Sequence, residues 1–241
     1  MDFPIPLQGA KLEQRYKRFL ADVILDDASP VTLHCPNTGS MKNCAQTGSR
    51  VWFWDSNNPK RKYPCTWELV EIEQEFMACI NTQRANGLVV EAIQNGTITE
   101  LLGYNSLKTE VKYGVENSRI DIFLSQHAAH PDCYVEVKNV TLMSNPGQGL
   151  FPDAVTLRGR KHLRELVHMI SQGKRAVLVY CVAHTGITQV APAWDIDPDY
   201  GKTLIWAIEQ GLEVVAYGAE INLTSMVLNR QVPIDFTMPL G

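Results

Sequence analysis

The first third of the chain is a series of short apolar runs cut by turn-forming residues, whereas the remainder carries longer runs with helical or continuous apolar texture. Phe19 to Leu25 and Val31 to Leu33 read as strands around the turn Asp26-Asp27-Ala28-Ser29-Pro30, which predicts a hairpin. Ser49 to Asp55 and Trp67 to Glu73 predict two further strands, with a turn at Ser56-Asn57-Asn58-Pro59. Short strands punctuated in this way suggest a small β-barrel or sandwich.

Beyond Asn81 the texture changes, and Thr82-Gln83-Arg84-Ala85-Asn86-Gly87 forms a junction of small and polar residues. Ala85 to Gln94 places Leu88, Val89, Ala92 and Ile93 at helical spacing. Ser106 to Lys112, Arg119 to Leu124 and Tyr134 to Val140 follow as strands, and Asn145 to Gly149 as loop. Arg158 to Gln172 is the clearest helix, with Leu163, Leu166, Val167 and Ile170 on one stripe and Gly173 as its stop. Arg175 to Ala183 is a continuous apolar run, as in a strand buried on both faces. Thr203 to Glu209 reads as helix and Leu212 to Ile221 as strand. The expected organisation is a barrel of the oligonucleotide-binding type (OB-fold) over residues 1–80 and an α/β domain over 81–241.

Composition narrows the class. With 45% hydrophobic and 20% charged residues the 241-residue chain is an ordinary globular protein, long enough to bury a core. A net charge of -4 excludes a uniformly basic nucleic-acid binder, so phosphate contacts would have to come from local clusters. The N-terminus lacks a signal-peptide pattern and no run suits a membrane span, so a cytoplasmic protein without membrane association is expected. The six cysteines form no Cys-x-x-Cys pair, which favours reduced, structural thiols. His34 beside Cys35 lacks a second metal-ligand pair at suitable spacing.

Candidate chemistry concentrates between Ser118 and Val140. Strand alternation places Asp121 between Ile120 and Ile122, and sends Glu136 and Lys138 from one face while Val135 and Val137 leave the other. If the two strands pair, one face gathers Asp121, Glu136 and Lys138. Two carboxylates and an ammonium are a minimal set for holding Mg²⁺ or Mn²⁺ and a water against a phosphodiester. Glu91, on the preceding helix, is a candidate auxiliary ligand or base. A solvated sheet face with an incidental Glu-x-Lys, and an exposed helical Glu91, fit the same spacing.

Three basic groups suit nucleic acid. Arg15, Lys17 and Arg18 precede the first expected strand, and Lys60, Arg61 and Lys62 sit in a loop, with Trp52, Trp54, Tyr63 and Trp67 nearby for stacking. Trp52 and Trp54 share a strand face, which also fits a filled barrel core. On the long helix, Arg158, Arg160, Lys161 and Arg164 flank the apolar stripe. A solvated helix face with Glu165 as salt-bridge partner accounts for them equally well.

Helix, three strands, helix, strand, with the carboxylates on the second and third strands, is the layout of a restriction-endonuclease-like (PD-(D/E)xK) core. The usual proline before the first aspartate is replaced by Ile120. Pro36-Asn37-Thr38-Gly39-Ser40-Met41, Tyr134-Val135-Glu136-Val137-Lys138-Asn139-Val140 and Phe151-Pro152-Asp153-Ala154-Val155-Thr156, in this order and spacing, resemble the bacterial sugar fermentation stimulation protein A family over essentially the whole chain. The resemblance implies an OB-type barrel before a nuclease-like domain, DNA binding without marked sequence preference, and a regulatory connection to maltose metabolism. It leaves three readings of activity: a DNA-binding protein contacting the phosphate backbone, a Mg²⁺-dependent structure-selective or single-strand nuclease, and a protein-binding regulator on an inactive nuclease scaffold.

Overall fold

A computed structural model gives the structure of the chain, and residues 1–3, 5–116 and 118–238 are described. The N-terminal strands are β1 (Gln8–Tyr16), β2 (Leu20–Ile24), β3 (Pro30–His34), β4 (Arg50–Asp55), β5 (Cys65–Ile72) and β6 (Phe76–Cys79). They run in the order β3-β2-β1-β4-β5-β6, and a parallel His34–Thr66 pairing of β3 with β5 closes the first five into a barrel of OB type. The expected hairpin is β2–β3. A strand precedes it, so Arg15 lies in β1 and Lys17 and Arg18 in the β1–β2 turn, where both have positive φ. A run as polar as Gln-Gly-Ala-Lys-Leu-Glu-Gln-Arg-Tyr hides its alternation, because only Ala10 and Leu12 are fully buried.

On β4 the buried residues are Val51 and Phe53; Trp52 and Trp54 face outward, and the tryptophan that fills the barrel is Trp67. Trp67 is fully buried, and its indole N–H donates to the Leu69 carbonyl at 2.8 Å. Trp54 donates to Glu68 and carries Arg61 above its ring. Trp52 packs against the core of the second domain.

After the barrel come α1 (Arg84–Gln94), β7 (Ser106–Tyr113), β8 (Ser118–Ser125), β9 (Cys133–Val140), β10 (Leu142–Asn145), β11 (Gln148–Phe151), α2 (Leu157–Ser171), β12 (Arg175–Val182), β13 (Gln189–Pro192), α3 (Pro198–Glu209), β14 (Glu213–Ile221) and β15 (Met226–Gln231). The main sheet has the order β15-β14-β12-β9-β8-β7, with β9, β12 and β14 parallel and the remaining pairs antiparallel. Helix α1 contributes Leu88, Val89 and Ala92 to the core on one face; α2 and α3 contribute Leu163, Leu166, Tyr200 and Leu204 to the core on the other. The segment expected as loop at 145–149 is a tight turn joining β10 to β11, which pair with β13 as a separate three-stranded sheet.

The two parts are pinned together by polar contacts. Glu68 of β5, fully buried, accepts from Arg84 at 3.0 and 3.2 Å and from Asn81 at 2.7 Å. Strand β6 bonds the second part through Cys79 N–H to the Ala183 carbonyl and Thr185 N–H to the Met77 carbonyl, both at 2.9 Å. All six cysteines are free and buried.

Candidate metal and phosphodiester site

The site forms where β8 and β9 separate. They are in register from Leu124↔Cys133 to Ile122↔Val135 and no further. One residue on, the β7–β8 register passes from Thr109↔Ile122 to Val111↔Ile120 without pairing Asp121, Glu110 of β7 has positive φ, and the buried side chains change faces: Ile122 joins the α1 core and Ile120 the α2 core. Asp121 therefore does not follow simple alternation. Its Oδ2 accepts from the Val137 N–H at 2.7 Å and its Oδ1 from the Asn86 amide of α1 at 3.0 Å.

Glu136 points toward α2. Its Oε1 accepts from the Lys138 ammonium at 2.6 Å and meets His162 Nδ1, while Oε2 is buried without a partner among the described residues. Arg158 Nε donates to His162 Nε2 at 3.3 Å, which leaves the Nδ1 of a neutral imidazole as the donor to Glu136. Burial pushes the Glu136 carboxyl upward, but the adjacent Lys138 charge and the His162 contact outweigh it and hold the group below its ordinary range. Asp121 goes the other way: burial and then the charge on Glu136 raise it, against the Val137 and Asn86 hydrogen bonds. A like-charged carboxylate pair with a buried, unpartnered oxygen is chemically suited to a hard divalent cation.

Asp121, Glu136 and Lys138 are thus brought together. Glu91 is not with them: its carboxylate takes the Met1 amine at 2.8 Å. The α1 residue facing the site is Asn86, about 7.5 Å away from Glu91 along a helix axis. Among the described residues no group of three or more His, Cys, Asp or Glu side chains could hold one ion.

The basic flank of α2 is dispersed. Arg158 backs His162, Arg160 pairs with Asp199 of α3 at 2.6 Å, Lys161 donates to the Glu116 carbonyl, and Arg164 lies 3.9 Å from the Glu116 carboxylate. Glu165, the salt-bridge partner in the solvated-face alternative, is buried and accepts from the Val115 and Glu116 N–H groups at 3.3 and 3.2 Å. On the barrel, Arg15 is committed to carbonyls of Arg18, Asn37 and Gly39. Lys17, Arg18, Lys60 and Lys62 are exposed, as is Phe19. The two basic turns abut the same stretch of chain. The Phe19 carbonyl accepts from Cys35 N–H at 2.8 Å, and Arg61 adds to the burial that lowers the His34 pKa.

Beside the carboxylates lies a cleft of about 240 Å³ between barrel and α/β domain. Four stretches distant in sequence line it: Asn37, then Thr82, Ala85 and Asn86, then Val137, Lys138 and Asn139, then Phe151 and Asp153. Asp153 Oδ2 accepts from Ser40 Oγ at 3.1 Å and Met41 N–H at 3.3 Å, and Ser40 Oγ also donates to the Asp153 carbonyl at 2.8 Å. Gly39 permits this approach, since a Cβ there would lie 2.6 Å from Asp153 Oδ2. His162 and Asn86 were not singled out from the sequence; one is hidden among basic residues, the other in a polar junction.

A family model described as the sugar fermentation stimulation protein RE domain matches residues 83–225, and one described as the SfsA N-terminal OB domain matches residues 14–80. Sugar fermentation stimulation protein homologs of Shewanella loihica and Shewanella baltica are 54% and 58% identical to the chain, over 97% and 95% of it and 99% and 97% of their own lengths. The structure of Pyrococcus furiosus SfsA in complex with Ca²⁺ matches with a TM-score of 0.85 at 24% identity, covering 98% of either chain.

Proposed function

The chain belongs to the sugar fermentation stimulation protein family, and we propose that it binds DNA with little sequence specificity and presents the phosphate backbone to a divalent-metal site at Asp121 and Glu136. The observation that carries this reading is the Oε2 of Glu136, buried and without a partner among the described residues, beside the Asp121 carboxylate, with the Lys138 ammonium on the same group. Asp121 and Glu136 would hold the ion, Mg²⁺ or Mn²⁺ in the working protein. Ca²⁺, with which the Pyrococcus furiosus protein was solved, is a hard cation of the same oxygen-seeking type. Bound there, such a cation polarises a phosphodiester and acidifies a water.

The chain's own residues set up the rest. Asn86 and the Val137 N–H fix the orientation of Asp121, His162 and Arg158 fix that of Glu136, and Lys138 places a positive charge where a phosphate oxygen would gain charge. Exposed Lys17, Arg18, Lys60 and Lys62 supply phosphate contacts, and Phe19 a stacking surface, on the barrel beside the Asn37 loop.

The second reading is binding without turnover, favoured by the engagement of Glu91 with Met1, which leaves two carboxylates rather than three. One experiment separates the two. Purified protein is incubated with single-stranded, duplex and branched DNA in Mg²⁺ or Mn²⁺, alongside Asp121→Ala and Glu136→Ala. Cleavage by the wild type that both variants lose supports the nuclease; salt-sensitive binding with no cleavage of any strand supports binding alone. Absence of salt-sensitive DNA binding would sink the whole reading.

A further inference from the structure

The cleft beside Lys138 has the wrong chemistry for a phosphate and the right chemistry for a base. Among the described residues Lys138 is the one cation lining it, and it is already paired with Glu136 at 2.6 Å. Asp153 adds a carboxylate to the wall, so a phosphate inside would meet net repulsion. What the walls offer is neutral hydrogen-bonding edges. Asn37 is nine-tenths buried and its Oδ1 is taken by the Gly39 N–H at 2.8 Å, which leaves its amide N–H₂ as the free end. Among the described residues the Asn139 side chain makes no hydrogen bond within the protein, and Asp153 Oδ1 accepts none. Leu142, Leu150 and Phe151 add apolar surface to the same lining, and the Phe151 ring is braced against Tyr180 and Tyr200.

The size is equally restrictive. At about 240 Å³ the cleft lies below the roughly 300–1,000 Å³ of pockets for drug-sized ligands, so one heterocycle fits and a stacked run does not. A base pair cannot enter it. We infer that this cleft is a subsite for a single unpaired nucleobase of DNA, with Phe151 and the leucines against its face and Asn37, Asn139 and Asp153 along its edge.

This rests on the DNA-binding reading above and narrows its substrate class. A base held in the cleft is out of the stack and unpaired, so the favoured strand is single-stranded or locally melted. With one base seated there, its backbone lies beside Lys138 and the carboxylates. Amide and carboxylate groups together can meet either donors or acceptors of a base edge, consistent with occupancy by more than one base type.

The test is fluorescence anisotropy at fixed salt in EDTA, so that no strand is cut, with a single-stranded oligonucleotide, a strand of the same length built wholly of abasic tetrahydrofuran residues, and a duplex. Wild-type protein is expected to bind the base-bearing strand about tenfold more tightly than the abasic one. Asn139→Leu, which fills the cleft, should remove most of that difference. Asn37→Asp should do likewise while keeping an oxygen for the Gly39 N–H, so a fold defect in one variant does not decide the matter. Equal affinity of wild type for base-bearing and abasic strands overturns the subsite and leaves the phosphate reading standing. A tenfold preference retained by both variants overturns its location. Absence of binding to every DNA overturns the subsite and the reading beneath it together.

Discussion

The Asp121 carboxylate accepts the Val137 backbone N–H at 2.7 Å, in the place a cross-strand carbonyl would hold had β8 stayed paired with β9. The side chain therefore caps the divergence of two strands while standing beside Glu136. Its raised pKa means that the folded protein binds this proton more tightly than the unfolded chain. The stability it contributes is complete below the ordinary carboxylate range and is lost as pH rises through the folded-state value.

Asp121→Asn keeps an oxygen for Val137 and removes the like charge. In EDTA at neutral pH its Tm should therefore equal or exceed that of the wild type. With Mn²⁺ the order should reverse. A ligand present at a hundred times its Kd stabilises by about 2.7 kcal/mol, and only the wild type should gain that increment. Differential scanning fluorimetry with and without Mn²⁺ measures both effects. An undiminished Mn²⁺ shift in the variant would place the ion elsewhere.

The Glu136–Lys138 pair is buried on the carboxylate side and mostly buried on the ammonium side. Lys138→Met leaves Glu136 with His162 alone and should destabilise the fold by about 3 kcal/mol, the order expected when one partner of a buried pair is removed. Adding Glu136→Gln should return much of that loss, because the uncompensated charge is what the single variant suffers from. Urea unfolding of the two single variants and the double variant gives the coupling. Additive losses would mean that the pair is not an energetic unit.

How much of this was legible in the sequence depends on how locally each feature is specified. Asp121, Glu136 and Lys138 stood out because a strand period of two and the Glu-x-Lys spacing are local properties, and the buried run of β12 is apolar along nearly its whole length. The change of face at Asp121 was not legible. It coincides with a positive φ at Glu110 of a neighbouring strand, which no period reports. Glu91 was placed on the correct helix, but its partner, Met1, is 90 residues away at the start of the chain. The basic flank of α2 was correctly assigned to a helix, but the partners that divide it, Asp199 and Glu116, come from α3 and the β7–β8 turn and leave no mark on the helix's own period. Trp52 and Trp54 share a face as expected, yet a second domain covers part of it, so parity alone could not say which face is core.

His184 gives the protein a pH-dependent stability independent of the carboxylates. It is fully buried, its Nδ1 accepts from the Gly186 N–H at 3.0 Å, and its Nε2 has no partner among the described residues. Burial lowers its pKa from 6.5 to about 4. The unfolded chain then binds a proton that the folded protein resists, so stability is complete above pH 6.5 and falls as the pH is lowered toward about 4. The loss across that window is about 3 kcal/mol. His184→Gln should flatten this part of the profile, measured as urea midpoints from pH 7 to pH 4. A profile as steep as that of the wild type would assign the acid sensitivity to another group.

Salt dependence distinguishes the basic residues that meet phosphate from those occupied within the protein. Removing a side chain that meets one phosphate should reduce the slope of log Kd against log salt by about one. Lys60→Gln and Lys17→Gln remove exposed charges on the barrel turns and should each lower the slope by about that amount. Arg160→Gln removes a guanidinium already held by Asp199 at 2.6 Å, which frees a carboxylate on α3 while leaving the phosphate-binding groups in place. Its slope should match the wild type even if its affinity falls slightly through the exposed negative charge. Anisotropy titrations at several salt concentrations, with one oligonucleotide for all variants, measure this directly. If Arg160→Gln lowers the slope and the two lysine variants do not, the DNA runs along α2 rather than across the barrel turns.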